Sequence, residues 1–375
     1  MSIRQMFPGS IVKPGFNPLG AQTASTLLSL FSWGYNNHGQ LGINSLTTYS
    51  SPQQVGALTD WLTVACGYYH NVATKNDGTL WTWGWNSTGQ LGLGNTTQYL
   101  SPKQVGALTS WSTVSAGGGT TAAIKTDGTL WTWGYNNSGQ LGLGNTASRS
   151  SPNQVGALTN WSSIAVLVRS TLAVKTDGTL WSWGQGSFGN LGLGNTTNYS
   201  SPKQVGALTA WLKVAGGFYS SIAIKTDGTL WSWGYNFRGQ LGLGDTTNRS
   251  SPVQVGILTN WLSATCGYVN SVAVKTDGTL WTWGGGNQGG LGLGNTTNYS
   301  SPKQVGALTN WLNVSAGNYF CGAVKTNGTA WTWGANGFGE LGLGDTTARS
   351  SPTQIGSLTT WSKLTCSIGH YSLGL

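Results

Sequence analysis

A Trp-Gly pair recurs along this chain at a spacing that never changes. It stands at Trp33-Gly34, Trp83-Gly84, Trp133-Gly134, Trp183-Gly184, Trp233-Gly234, Trp283-Gly284 and Trp333-Gly334, a period of fifty residues. A fixed period of this length signals a repeat architecture, in which no unit buries its apolar face alone and each must stack on its neighbours. The 375 residues are therefore read as one array rather than as the two domains their number would suggest. Because the copies are so alike, the places where they differ stand out from a single sequence.

One unit, residues 125–168, reads KTDGTLWTWGYNNSGQLGLGNTASRSSPNQVGALTNWSSIAVLV. Short apolar or alternating runs (TLWTW, a segment around QVGAL, WSSIAV, TLAVK) are expected as strands, separated by Gly, Asn-Thr and Ser-Pro breakers. The Asp-Gly of Lys-Thr-Asp-Gly-Thr suits a tight hairpin, because Gly accepts positive φ; Asn327-Gly328 replaces it once. Charged residues make up only 7% while Gly (59) and Trp (21) are abundant, which favours strands and turns over long helices. Three to four strands per unit fit a propeller blade. The last copy stops at Leu375 where its Trp-rich strand should follow, and that strand appears at the other end as Thr26–Trp33. An all-β, seven-bladed propeller over 26–375, closed by an N-terminal strand completing the last blade, is the expected fold. Trp residues present in every copy are expected as packing between blades.

The unit W-T-W-G-x-N-x-x-G-Q-L-G-L-G, followed by S-P-x-Q-V and then A-x-G, resembles the regulator of chromosome condensation repeat family over residues 26–375. The resemblance implies a seven-bladed ring closed by the N-terminal strand. The nucleotide-exchange member of that family engages a small GTPase and nucleosomes through inserted loops, and units of constant length leave no such insertion here. The ultraviolet-B receptor branch carries extra Trp after A-x-G, and this chain has none there. Compact bacterial β-lactamase-inhibitor propellers look more similar; they bind a protein through aromatic residues on one ring face.

Two windows vary between copies. The first follows the Trp-Gly pair and holds Trp85, Phe188, Phe237, Arg238 and Phe338. The second precedes the next strand and holds Tyr68, Tyr69, His70, Arg169, Phe218, Tyr219, Tyr268, Asn318, Tyr319 and Phe320. Gly exchanges with Tyr, Phe, Arg and His in these windows, changes a packed core would not absorb without strain, so the residues are expected on the surface. Rigid aromatics among small polar residues are also the vocabulary of paratopes. These fifteen residues are the candidate contacts of an annular recognition face for a protein or a cell-surface glycan. A lectin using invariant sites in every blade and a purely structural decoration protein are the alternative readings.

Residues 1–25 (MSIRQMFPGSIVKPGFNPLGAQTAS) match no repeat. Prolines and glycines favour an extended course, yet Met6, Phe7, Ile11, Val12, Phe16 and Leu19 are too apolar for a solvating tail. This segment reads as a docking arm to a larger assembly and resembles the arms of bacteriophage virion proteins. A virion placement, or otherwise a cytoplasmic one, is the expectation: no leader with a cleavage site and no bilayer-spanning apolar run is present. The net charge of +9 is spread along the chain and forms no nucleic-acid patch. Cys66, Cys266 and Cys366 share one repeat position with Ala116, Val166, Gly216 and Ala316, which implies free buried thiols rather than disulfides. His38, His70 and His370 lack metal-ligand spacing, with His70 and His370 at equivalent positions in the first and last copies. Neither a catalytic grouping nor a cofactor motif is legible, so the expectation is a non-enzymatic protein.

Overall fold

Alternation in the sequence becomes seven four-stranded antiparallel sheets in the computed structural model, which describes residues 28–375. Blade 1 runs outward from the ring axis through Trp61–Cys66, His70–Lys75, Leu80–Gly84 and Tyr99–Gln104. Blades 2 to 6 repeat it at intervals of fifty residues. Blade 7 combines Leu364–Cys366 and Tyr371–Gly374 with Phe31–Gly34 and Tyr49–Gln54. Phe31 pairs with Gly374 and Gly34 with Tyr371, so the N-terminal strand closes the ring as the end-matching argument requires. Closure removes the free sheet edges along which such strands would otherwise associate. Apart from one 3-10 turn at Asn287–Gly289, no helix occurs among the described residues. The proposed arm residues, Met6, Phe7, Ile11, Val12, Phe16 and Leu19, lie outside the described part.

Packing explains the constant parts of the repeat. Each Trp of a Trp-Gly pair is fully buried, and the Trp83 indole N–H donates across the seam to the Gln40 carbonyl at 3.0 Å. Gly42 of the Gly-Gln-Leu-Gly motif lies flat against that indole: its φ is +70°, and a Cβ there would sit 2.7 Å from Trp83 Nε1. Only glycine satisfies both the backbone angle and the close approach. Within blade 1, Trp61 meets Trp81 and Trp83 at 6.2 and 6.0 Å, and the Lys75 ammonium stands 4.4 Å over the Trp81 ring. The motif lysine is thus held by cation–π contact, worth about 0.5–2 kcal/mol.

Two details depart from the sequence expectation. The fourth strand is not the Gln-Val-Gly-Ala-Leu segment but the preceding Tyr/Arg-x-Ser-Pro-x-Gln stretch, such as Tyr199–Gln204. Ser-Pro was expected to break structure; on the outermost strand, proline costs nothing because its missing N–H would face solvent, and a bulge falls between Ser182 and Gly184 of its partner strand. The second departure is in blade 7. Cys66 pairs with Asn71 in blade 1, whereas Cys366 pairs with Ser372. The loop between these strands is one residue longer in the last copy. Consequently Tyr371, not His370, takes the place of His70, and the two histidines are not equivalent. Tyr371 is fully buried, and its hydroxyl donates to the His70 carbonyl at 2.9 Å, tying blade 7 to blade 1.

Candidate functional site

Each variable window contains a hidden constant. After the Trp-Gly pair, the second residue is buried in every blade. Asn136, for example, accepts from Leu141 N–H at 2.9 Å and donates to the Asn145 and Ala147 carbonyls at 3.0 and 2.9 Å. Where Gly186 and Gly286 replace it, the side-chain bonds are lost, and their N–H groups donate to Asn198 and Asn298 at 2.9 Å, as the Asn236 N–H does to Asn248 at 2.8 Å. Six blades thus share one loop course, the remaining one departing only at the 3-10 turn Asn287–Gly289 where Gln288 takes φ +55°, and residues one, three and four of the window are free to change what they present. The third residue, from Asn37 to Gly337, is exposed throughout.

In the second window the third residue opens the second strand of its blade and is buried. His70 and Phe320, expected on the face, are both 0% exposed and do not belong to it. The expectation failed because the size change is absorbed by a glycine. A Cβ on Gly67 would meet His70 Cε1 at 2.1 Å, and one on Gly317 would meet Phe320 Cε1 at 2.4 Å. The glycine of A-x-G leaves the room that a packed core would lack. Burial pushes the His70 imidazole pKa down to about 3, so it is neutral, with Nε2 2.9 Å from the Thr121 hydroxyl.

The remaining candidates form an arc on one face of the ring. One part spans blades 3 to 6. Phe188 packs on Tyr219 at 4.8 Å, Tyr219 on Phe218 at 4.5 Å, Phe218 on Tyr268 at 4.7 Å and Tyr268 on Tyr319 at 5.5 Å. Tyr235 and the exposed Phe237 flank it, with the Arg238 guanidinium over Phe237. The other part spans blades 6, 7 and 1. Phe338 meets Tyr35 at 4.9 Å, and Tyr35 meets Tyr69, which touches Tyr68, His38 and Trp85. A polar bridge joins the two parts: Asn318 Nδ2 lies 2.9 Å from His370 Nε2, and His370 Nδ1 lies 3.3 Å from Glu340 Oε1. His370 is the inserted residue, at φ +63°, and its ring also packs on Phe338 at 5.2 Å. The arc stops at blades 2 and 3, where Gly118, Gly119, Asn137 and Ser138 stand, and Arg169 is exposed near Tyr135.

Sequence comparison missed Tyr35, His38, Tyr235, Glu340 and His370 as members of this face. For Glu340 a signal existed: other copies carry Gln40, Gln90, Gln140, Asn190, Gln240 and Gly290 at that position. The Tyr69 phenol is pushed up to about 12 by burial and by its neighbours Tyr68 and Tyr35, so Tyr69 presents a neutral phenol. The arc surrounds the channel mouth, a cavity of about 220 Å³ lined by the Cys66 position of every blade. Burial raises the thiols there, Cys266 to about 11 and Cys366 to about 12, and none is in a disulfide. Among the described residues no group of three or more His, Cys, Asp or Glu side chains is placed to hold a metal ion. The geometry offers a broad aromatic surface with one polar bridge, a composition suited to binding.

Comparison with known proteins agrees with this architecture. The RCC1-like domain model matches residues 29–373. No curated protein sequence matches. Human WBSCR16 superposes with a TM-score of 0.83 at 21% identity, over 92% of this chain and 98% of that one. Yeast (Saccharomyces cerevisiae) Prp20p, described with its binding to Gsp1p and histones, superposes with a TM-score of 0.84 at 21% identity, over 93% and 91% of the two chains. Yeast RCC1 (Prp20) bound to Kap60 gives 0.83 at 19% identity, over 100% and 95%. At these identities the likeness concerns the fold, and the family match over nearly the whole chain is what places it. This chain belongs to the RCC1-like domain family.

Proposed function

We propose that this protein is a non-enzymatic recognition propeller that binds a partner protein through the aromatic arc. The observation that carries this reading is the arc itself: large rings in mutual contact, held on a repeated blade frame, with small residues filling the rest of the ring. Clustered aromatics with an arginine at the margin are what protein interfaces concentrate at their energetic centre. Prp20p, a propeller of the same fold, is described as binding Gsp1p, histones and Kap60, so protein partners are in keeping with the fold. The contact residues are Tyr68, Tyr69, Trp85, Phe188, Phe218, Tyr219, Phe237, Arg238, Tyr268, Asn318, Tyr319 and Phe338, joined by Tyr35, Tyr235 and His370. Arg169 stands on the far side of the gap as a rim contact. A compact propeller using this face as β-lactamase-inhibitor propellers do, with residues 1–25 anchoring it to a larger particle such as a phage virion, is the most specific form of the proposal.

The test is Tyr69→Ala, Tyr219→Ala, Tyr268→Ala and Tyr319→Ala together. These half-buried rings leave the blade frame intact, so Tm should change little while capture of the partner, or adsorption of the particle to its host surface, falls at least about a hundredfold. Unchanged capture sinks the proposal. Deleting residues 1–25 should abolish incorporation into the assembly and leave partner capture by the free propeller unchanged.

One observation favours glycan binding as a second reading. Grooves of about 440 Å³ recur on the rim, one lined by Leu143, Trp161, Trp181 and Pro202, another by Leu243, Trp261, Trp281 and Pro302. A lectin built on these grooves would bind several equivalents of one glycan per chain and survive the tyrosine substitutions.

A further inference from the structure

Lysines in this protein follow a rule with two exceptions. Among the described residues, Lys75, Lys125, Lys175, Lys225, Lys275 and Lys325 each lie over a pair of tryptophans. Lys103, Lys203 and Lys303 each lie over the tyrosine four residues earlier. Lys213 and Lys363 lie over no ring and join no ion pair. Both sit at the same repeat position, Lys213 on the innermost strand of blade 4 and Lys363 immediately before the innermost strand of blade 7, where the other blades carry Thr63, Thr113, Ser163, Ser263 and Asn313.

This position lines the central channel. Lys213 and Lys363 border one cavity of about 450 Å³ together with Thr113, Ser163 and Ser263. That cavity draws on five of the seven blades, so it is the channel itself. It lies nearer the Asp-Gly turns than the cysteine ring does, because the innermost strand begins beside such a turn (Trp111 N–H to Gly78 carbonyl, 3.1 Å) and ends at the aromatic face. Blades 4 and 7 stand three apart in a ring of seven, which puts the two ammonium groups on opposing walls.

Neither ammonium is satisfied. Lys213 Nζ reaches the Leu262 carbonyl and Lys363 Nζ the Val64 carbonyl, each at 3.3 Å, and each has three protons to donate. The hydroxyls of Thr113, Ser163 and Ser263 make no side-chain hydrogen bond within the described residues and are free to donate. Of the nine acidic residues in the sequence, none borders the cavity. Lys363 is exposed to the channel, yet the surrounding strands desolvate both groups enough to lower their pKa values. Two cations in a narrow cleft with low-dielectric walls focus a positive potential that no protein group here neutralises.

We propose that this end of the channel binds a small polyanion of the phosphate class, bridging Lys213 and Lys363 and accepting hydrogen bonds from the hydroxyl ring. An anion with two charged groups fits better than one, since it meets both walls at once; charge-assisted bonds to each ammonium supply the affinity. The site lies away from the aromatic face, so it stands or falls independently of partner capture.

Isothermal titration of the full chain at pH 7 and low ionic strength, with phosphate, pyrophosphate and ADP as probes, tests this. Pyrophosphate should bind one per chain and more tightly than phosphate. Lys213→Ser and Lys363→Ser install the residue other blades already carry; each should weaken pyrophosphate at least about tenfold, and the pair should abolish binding, at unchanged Tm. Lys213→Arg with Lys363→Arg should retain it, which covers the case in which the serine pair fails to fold. Absence of binding by the native chain up to millimolar pyrophosphate, several equivalents per chain, or equal affinity in the folded serine pair each overturns the proposal. The affinity of ADP relative to pyrophosphate separates a free polyphosphate from a nucleotide-borne one; binding of either at this site supports the assignment.

Discussion

The two ends of each blade are built from opposite kinds of sequence. At one end the Lys-Thr-Asp-Gly-Thr turn is nearly verbatim in six copies; at the other, the two windows beside the channel mouth scarcely repeat. The conserved turn closes on itself. Asp77 accepts from the Thr79 N–H and hydroxyl at 2.9 and 2.7 Å, the Thr79 hydroxyl accepts from the Trp81 indole, and Lys75 caps the ring stack. Each of these side-chain partners comes from the same copy, so one solution serves all. The variable end divides its labour: a buried Asn or Gly fixes the loop backbone, and the neighbouring positions project outward without carrying structure. Variation alone does not mark surface; a residue can vary because a glycine beside it makes room, as at His70 and Phe320.

The frame is where substitution should cost most. Gly142, at φ +72°, would bring a Cβ to 2.7 Å from Trp183 Nε1. Gly142→Val combines positive-φ strain with overpacking of a blade seam and should destabilise by about 3–5 kcal/mol in denaturant unfolding. A sharper comparison lies in two adjacent asparagines. Asn136→Ala removes three hydrogen bonds, one buried and two part-buried, and strands the Leu141 N–H, for about 2–4 kcal/mol. Asn137→Ala, one residue on and exposed, should stay within about 0.5 kcal/mol. Equal costs would break the division between frame and face.

Titration separates the two ends by pH. His70 is buried neutral, its pKa down from 6.5 to about 3, so the unfolded state binds the proton first. Its stabilisation is complete above pH 6.5 and is lost as pH falls from there toward 3, at up to about 1.4 kcal/mol per pH unit. His70→Thr, the residue of blade 2, should flatten the stability profile across that window. The turn aspartates act lower. Hydrogen bonds from the following threonine hold Asp77, Asp127, Asp177, Asp227 and Asp277 below the usual 3.8, so their contribution is present above 3.8 and lost as pH falls further. Asn327 makes the same bonds to Thr329 without a titrating group. Replacing the five aspartates by asparagine should therefore shift acid unfolding slightly downward and leave stability at pH 7 nearly unchanged, the smallest of these effects.

Period, turn chemistry and the matching of the two ends sufficed to read the blade count and the ring closure, because each depends on residues close in sequence or on a strict repeat. The outermost strand was misplaced because proline reads as a breaker until its strand is known to be an edge. On the face, the aromatic residues were visible as departures from the repeat, but their grouping was not. The Glu340–His370–Asn318 bridge joins residues from blades 6 and 7 and depends on a one-residue insertion that uniform numbering conceals.

The channel shows the same limit more strongly. Nothing in the neighbourhood of Lys213 or Lys363 in the sequence distinguishes them from other scattered cations, and 150 residues separate them. The sequence by itself determined the unit, its number and the closed ring, since a fifty-residue blade cannot bury its tryptophans except against another. What only the tertiary structure decided is which varying residues meet: closing the ring sets loops of distant copies side by side on one face and brings two lysines to the border of one cavity in its channel.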